Sequence, residues 1–504
     1  KGSVFAVKSQ WCENPYCEER AIVVNYVGDL FQLGQGSAMY PAQWNRSVPA
    51  SATSAGDWFK EEGNSCYKET RYRTAVLRYT EALNFEPHKA LKIAIYSNRA
   101  QAHLASGGYE AAIADAHFVL SVEPQHEKAL FRTARAHYAM SNYTKAIELL
   151  ESIIQVNPSS ESVKSELRRA KQRLVEQSTG AYDFDQIGDM AAGPYPCMDV
   201  ASYLGPVEQG DPVNRNPGLF ATRDIQAGEL LLCTKVFEFL YANVDHVRFY
   251  NRNSTSFGST STLRLSRKIA QKLLSNPTFI APFMQLHRYS TEIVGHISTV
   301  LVDGRPVVDD FLIASLLNTH AFAMSCNHGD AHKYSGVGVC TTPSHVSHHC
   351  LGNCSRTVVG DLVIYRASRD MAMGDEIRAM YASPYTPVAE RQESLLEMHN
   401  ISCTCLLCER QLAETHDDRR ERYALNMSCL MASMGHVPQN PDTIAAVLEK
   451  FCADMESTYS DPPDVQPRFL YIEKLVSLAI CYVKARNMQK LLETSLRVLS
   501  SLGF

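Results

Sequence analysis

The sequence predicts a multidomain α+β protein: a block of paired helices, a β-rich central half and a helical C-terminal part. Three observations carry this. A helical unit recurs at spacings of 37 and 34 residues between Gly56 and Pro158, alternating strand-like stretches surround glycine turns at 218–232 and 360–381, and helical periodicity returns after Glu414. At 504 residues the chain is too long for one core, and about three or four domains follow.

The bulk numbers set bounds on function. A 45% hydrophobic and 20% charged composition is ordinary for a folded protein. The net charge of −5, with no stripe of Lys and Arg, excludes general nucleic-acid binding and is compatible with basic peptide substrates. No apolar run approaches the roughly 18–20 residues of a membrane span, so no membrane partner is expected. The chain opens Lys1-Gly2-Ser3 without Met, and the absence of a signal peptide therefore has little weight. The 15 cysteines are scattered except for a cluster near 403. That pattern fits reduced thiols with a local metal site better than a disulfide framework, and implies a cytoplasmic or nuclear location.

Residues 1–46 form a β-rich extension in which "ERAIVVNYVGDLFQLGQ" (19–35) alternates like two short strands about a Gly-Asp turn, and "SVPASATSAG" (47–56) is a linker by composition. The repeats follow. In each unit a tyrosine (Tyr72, Tyr109, Tyr143) precedes an alanine by three residues (Ala75, Ala112, Ala146), and a proline (Pro87, Pro124, Pro158) closes the unit. Small residues let paired helices approach, large ones fill between them, and proline ends the second helix. The pattern resembles the tetratricopeptide repeat, and residues 56–178 are read as three repeats plus a capping helix over Ser159–Gln177.

Lys60 and Asn64 lie one turn apart on the first helix, Asn98 lies on the first helix of the second repeat, and Lys128 and Arg132 lie one turn apart on the first helix of the third. Together they resemble the carboxylate clamp of repeat domains that hold the acidic C-terminal tail of heat-shock chaperones. Three cations with two amides suit a terminal carboxylate and an Asp side chain.

The central half carries four motifs in order: "GLFA" at 218–221, "HHCLGN" at 348–353, "GDEIRAMY" at 374–381 and "CTCLLC" at 403–408. This order resembles the SET-domain methyltransferases, closest to the SET-and-MYND subgroup and to fungal proteins that join tetratricopeptide repeats to a SET domain. No MYND finger is present. The resemblance implies a β-rich SET domain over 200–400 with an insertion at about 237–335, a post-SET zinc motif at 401–410 and a C-terminal helical domain over 411–504.

The resemblance also implies roles. Ser347-His348-His349-Cys350, followed by Asn353, stands where the family threads a pseudoknot beside S-adenosylmethionine. Gly218, Leu219, Phe220, His320, Ser347, His348 and Asn353 are the implied cofactor-binding positions, and Tyr381 is the catalytic one, bordering the lysine channel. A lysine amine attacks only when neutral, against a resting pKa of about 10.4, so such a tyrosine acts by orientation more than by acid–base power. Cys403, Cys405 and Cys408 supply three thiolates, and zinc in a structural site takes four tetrahedral ligands. The implied fourth is Cys350 in the pseudoknot, with Cys354 as its rival.

The sequence departs from the family pattern at three cofactor-side places. Ser347 replaces an Asn, Asn216-Pro217-Gly218 keeps one of two glycines, and His320-Ala321-Phe322 replaces Asn-x-Phe. Three readings stand: a protein-lysine N-methyltransferase using S-adenosylmethionine on a lysine-containing protein, a chaperone-docking adaptor with an inactive SET fold, or a repurposed small-molecule enzyme. His320, His345, His348 and His349 add the idea of a second metal if they converge. The insertion stretch "LRLSRKIAQKLLSNPTFIAPFMQLHR" (263–288) reads as helix, as do 442–459 and 468–504. The abrupt end at Phe504 suggests that the natural chain continues.

Overall fold

A computed structural model describes residues 54–192, 197–210, 218–242, 257–284, 286, 308, 310–325, 335–342, 345–399, 401–414, 420–422, 424–428, 441–459 and 468–501, with short strands at 4–7, 12–13, 20–21, 30–33, 248–250, 301–302 and 305–306. They belong to two compact units. The first comprises residues 1–217, 229–345 and 356–366; the second comprises 218–228, 346–355 and 367–504. Among the described residues no helix is long and apolar enough to cross a membrane.

In the N-terminal extension, strands do occur at Arg20–Ala21 and Leu30–Leu33, but they do not pair with each other. The first pairs with Cys12–Glu13 and the second with Val4–Val7, both antiparallel. The expected Gly-Asp turn lies outside the described residues, as do residues 47–53 of the linker.

The first unit holds the repeats as α1 (Ala55–Lys68), α2 (Tyr72–Leu83), α3 (Lys89–Ala105), α4 (Tyr109–Val122), α5 (Glu127–Ala139), α6 (Tyr143–Val156) and a capping helix α7 (Glu161–Thr179). The helix starts inside the expected linker because Ser54 caps it, its hydroxyl accepting from Asp57 N at 3.0 Å. The three tyrosines open the second helix of each pair. The alanines that follow, Ala75, Ala112 and Ala146, are buried where the paired helices meet, and larger side chains there would force them apart.

Two polar clasps hold the repeats to the rest of this unit. Asn276 is wholly buried; its Oδ1 accepts from Tyr109 N at 2.8 Å, and its Nδ2 donates to Gly107 O at 2.8 Å and Lys272 O at 3.0 Å. Glu110 returns the contact, accepting from Thr278 N and Oγ1. On the other side Asp199 accepts from Tyr138 Oη at 2.7 Å and Arg169 Nε at 2.8 Å.

Behind these clasps lies a four-stranded sheet in the order Cys354–Val359, Leu362–Ala367, Leu230–Lys235, Tyr203–Leu204. Its core joins Met198, Val200, Cys233, Leu362 and Ile364. The insertion packs Leu265, Ile269, Leu273, Phe283, Ile313 and Leu316 into a core of its own. The stretch expected to be one helix is broken: Thr260–Ser275 ends at Asn276, and a short 3₁₀ turn at Pro277–Phe279 leads into Ile280–Met284. Pro277 has no N–H to continue the ladder and disfavours helical backbone at Asn276.

The second unit interleaves three segments of the chain. Ile377 N donates to Leu219 O at 2.7 Å and Ala221 N to Asp375 O at 2.8 Å, joining the 218–228 segment to the 367–381 segment. Ser347–His348 pairs in parallel with Arg378–Ala379, the crossing expected of the pseudoknot. Gly352 makes that crossing sterically possible: a Cβ there would stand 2.6 Å from Arg378 O. Helices at Val388–His399 and Leu406–Ala413 follow, then helices at Pro441–Glu456, Phe469–Lys484 and Met488–Ser501, which share a core of Leu448, Cys452, Met455, Tyr471, Leu475 and Leu478.

Candidate active site and metal centre

Four buried cysteines converge in the second unit. The sulfurs of Cys350, Cys403, Cys405 and Cys408 all lie within 4.8 Å of one another, with Cys350 Sγ 3.9 Å from Cys403 Sγ and 3.5 Å from Cys408 Sγ. A tetrahedral zinc with Zn–S bonds of about 2.3 Å places its sulfurs roughly 3.8 Å apart, so the donor set fits that ion. Cys350 comes from the pseudoknot segment. Cys405 is the N-cap residue of the helix Leu406–Ala413, and Cys408 lies in its first turn. Gln392 pins Cys403, its amide accepting from Cys403 N at 3.0 Å and donating to Cys403 O at 2.6 Å. Cys354 stands apart from the cluster, its thiol donating to Arg378 O at 3.2 Å.

Proton sharing within the cluster drives its thiols apart. Hydrogen bonds from Cys350 and Cys408 hold the Cys405 thiol far below its ordinary range, while hydrogen bonding to Cys405 pushes Cys350 far up. Burial raises Cys403 to about 11. A divalent ion would replace the remaining thiol protons, which makes its binding pH-dependent.

Beside the cluster, His348 links the sulfurs to Tyr381. Its Nδ1 accepts from Tyr381 N at 3.1 Å, and its Nε2 lies 3.5 Å from Cys350 Sγ. With Nδ1 as acceptor, the ring proton of the neutral form belongs on Nε2, facing the sulfur. Burial lowers His348 to about 4, so the ring is neutral at pH 7. The Tyr381 hydroxyl donates to Val346 O. Both ends of this residue are therefore tied to the 346–350 segment.

Residues of this unit expected to face a cofactor gather around one carboxylate. Ser347 Oγ donates to Glu376 Oε1, and Arg378 donates to Glu376 Oε2 through Nε at 2.9 Å and Nη2 at 2.8 Å. Gly218 faces the same carboxylate; a Cβ there would lie 2.8 Å from Glu376 Oε1. Leu219 and Phe220 meet the Glu376–Ile377 backbone, and Leu219 is buried. The Asn353 amide spans backbone, donating to Glu376 O and accepting from Arg378 N, each at 2.8 Å.

His320 ends the helix Asp310–His320 in the first unit, where it adjoins His345. Burial, with the neighbouring His320 adding to it, lowers His345 to about 4. His348 and His349 belong to the second unit. Among the described residues the four cysteines are the group of three or more ligand-type side chains that converges.

The repeats bring two of the five expected clamp residues into contact. Asn98 Nδ2 donates to Asn64 Oδ1 at 3.1 Å, and Tyr79 Oη donates to the same oxygen at 2.7 Å. Arg132 donates to Ser97 O at 2.7 Å and to Gln101 Oε1 at 2.9 Å. Burial lowers its pKa, with Tyr67 and Tyr79 nearby. Lys60 pairs with Glu61 at 3.1 Å, and Lys128 is exposed on α5, one turn before Arg132.

Comparison with known proteins matches two stretches of the chain. A SET domain match covers residues 216–382, and a tetratricopeptide repeat match covers 103–170. The chain joins tetratricopeptide repeats to a SET domain. This SET–repeat protein is 28% identical over 413 residues to a methyltransferase of Gibberella zeae, across 77% of this chain and 56% of that one. It thus spans about half the length of that relative. Its repeats are 34% identical over 162 residues to a heat-shock protein cognate co-chaperone, sgt12, of Aspergillus fumigatus, across 30% of this chain and 47% of the relative. The solved Sgt2 repeat domain from Aspergillus fumigatus overlaps 26% of the chain and 86% of its own, at 34% identity and a TM-score of 0.23.

Sequence reading singled out Tyr381 and the four cysteines that converge but passed over Glu376 and Arg391. Glu376 had a signal, since it lies inside the Gly-Asp-Glu-Ile motif. Arg391 had none, because a single Arg near the start of an amphipathic helix reads as a solvated residue.

Proposed function

We propose that the protein is an S-adenosylmethionine-dependent protein-lysine N-methyltransferase whose repeats recruit a partner with an acidic C-terminal tail. The observation that carries the reading is Tyr381, tied by its hydroxyl to Val346 O and by its backbone to His348, beside a cysteine cluster that fits zinc. Zinc held by Cys350, Cys403, Cys405 and Cys408 would supply structure, fastening the post-SET segment to the pseudoknot. S-adenosylmethionine, when bound, supplies a methyl group on a cationic sulfur. The carboxylate of Glu376, cradled against Gly218 and oriented by Ser347 and Arg378, suits a ligand that carries a cationic amine. Tyr381 and the carbonyl it engages orient the lysine amine, which gives its proton to solvent before attack.

The partner reading rests on Asn64 and Asn98, which hydrogen-bond to each other, on Arg132, which has Tyr79 as a neighbour, and on the sequence likeness to a named heat-shock cognate co-chaperone. An acidic terminal carboxylate answers that set of amides and cations. A reducing compartment, cytoplasm or nucleus, suits the reduced cysteine cluster.

A second reading has its own observation. The Ser347 hydroxyl is engaged with Glu376, so the position where the family holds its cofactor with an Asn is turned onto the protein itself. This favours an adaptor whose SET fold no longer transfers methyl groups. Calorimetric titration of zinc-replete protein with S-adenosylmethionine and S-adenosylhomocysteine separates the two. Saturable binding, followed by label transfer to a lysine peptide that Tyr381→Phe reduces, supports the enzyme. No heat and no thermal shift with either ligand supports the adaptor.

A further inference from the structure

Arg391, on the helix Val388–His399, is the largest wholly buried side chain among the described residues. Its Nη1 donates to Thr386 O at 2.6 Å and Pro384 O at 3.3 Å, and its Nη2 donates to Gln411 Oε1 at 2.5 Å. Each of these acceptors is neutral. The remaining neighbour of Nη2 is Cys408 Sγ, at 3.5 Å.

The other buried arginines are treated differently. Arg78 faces Glu81 at 2.5 Å, Arg173 faces Glu176 at 2.7 Å, and Arg422 faces Glu414 at 2.8 Å. Among the described residues no carboxylate pairs with Arg391. A guanidinium stays protonated in any protein site, and a buried charge without a counter-charge is strongly unfavourable. The negative charge must come from the sulfurs. Four thiolates around a divalent cation keep about two net negative charges, and a cation beside them would offset one.

We propose that Arg391 is the counter-cation of the cysteine metal centre: its guanidinium neutralises part of the thiolate charge and so sets how tightly the ion is held. The inference rests on the reading of the four cysteines as a metal site. The same side chain also ties the 384–386 loop and Gln411 to that centre, so the metal, the loop after Tyr381 and the helix Leu406–Ala413 form one electrostatic unit.

The test uses the full chain loaded with zinc, titrated against a chromogenic chelator, and with cobalt, read by its sulfur-to-metal charge-transfer bands. Arg391→Met removes the charge and keeps much of the volume; Arg391→Lys keeps the charge; Arg391→Gln keeps hydrogen bonding without it. Arg391→Met and Arg391→Gln are expected to weaken zinc binding by about 10- to 100-fold and to move the cobalt bands, with Arg391→Lys close to the parent. If Arg391→Met does not fold, the comparison of Lys with Gln decides. Equal zinc affinity in those two, or a Met variant within about twofold of the parent, overturns the proposal. A parent protein that takes up no zinc or cobalt would instead overturn the metal site itself, a separate result.

Discussion

The backbone N–H of Tyr381 donates to Nδ1 of His348 at 3.1 Å, while Nε2 of the same ring faces Cys350 Sγ at 3.5 Å. One imidazole therefore connects a residue of the proposed reaction to a residue of the proposed metal centre. Replacing His348 with Ala is expected to lower kcat for methyl transfer by about 100-fold, since small displacements of an orienting group have effects of that order. KM for the lysine peptide should hold. Unchanged kcat in a zinc-loaded His348→Ala protein would mean that Tyr381 is placed by its hydroxyl contact alone.

Cys405→Ser is expected to release zinc and to open the region after Arg391 to proteolysis. Cys350, Cys403, Cys405 and Cys408 share one core with Val388, Leu395, Leu407, Phe469 and Ile472, so losing the ion loosens all of them. Stoichiometric zinc in the variant, measured by plasma mass spectrometry, would show that the ligands are other residues.

His345 gives the first unit a pH dependence. Its folded pKa, about 4, lies below the roughly 6.5 of an unfolded imidazole, so the unfolded chain binds the extra proton. The contribution is fully present above pH about 6.5 and is lost as pH falls toward 4, to an upper bound of about 3 kcal/mol. Denaturant unfolding of the parent and of His345→Gln between pH 7 and 4, at about unit steps, should show the slope reduced in the variant. His320, its neighbour, must be carried unchanged through both series. Parallel slopes would place the pH dependence elsewhere.

Charge reversal at Lys128 and Arg132 together should abolish binding of a peptide ending in acidic residues and a free carboxylate. Arg132 also holds Ser97 O and Gln101 inside the groove, so Lys128→Glu alone, on an exposed residue, is the cleaner variant. It should weaken binding several-fold at low salt and less at high salt, read by fluorescence anisotropy. Unchanged affinity in both proteins would remove the clamp from the functional reading.

Much of the architecture was legible because it is written in short-range patterns. The tyrosine, alanine and proline positions of the repeats recur at helix-pair spacing, and Cys403, Cys405 and Cys408 sit close enough in sequence to announce a metal site. Cys350 was legible only through family resemblance, since nothing local distinguishes it from Cys354. What escaped was the meaning of side chains whose partners lie far along the chain. Asn276 in "LLSNPTF" lies inside a stretch that reads as one continuous helix; the helix ends there instead, and the clasp on Gly107 and Tyr109 appears only once the fold brings them together. Arg391 escaped for the same reason. Hydrophobic periodicity marks which face of a helix is buried, and it carries no information about a cation buried there to meet sulfur.

The Asn276 clasp has a consequence for how this protein can be taken apart. Sequence comparison marks a repeat segment and a SET segment as separate modules, yet the amide of one fills the turn of the other. A repeat block excised on its own would leave Gly107 O and Tyr109 N to solvent. One grafted from a foreign protein would meet Asn276 with a mismatched turn and strand a buried amide, at about 1–3 kcal/mol. The repeats here are not an interchangeable handle; their seat is cut to fit, and transplantation would have to carry the seat along.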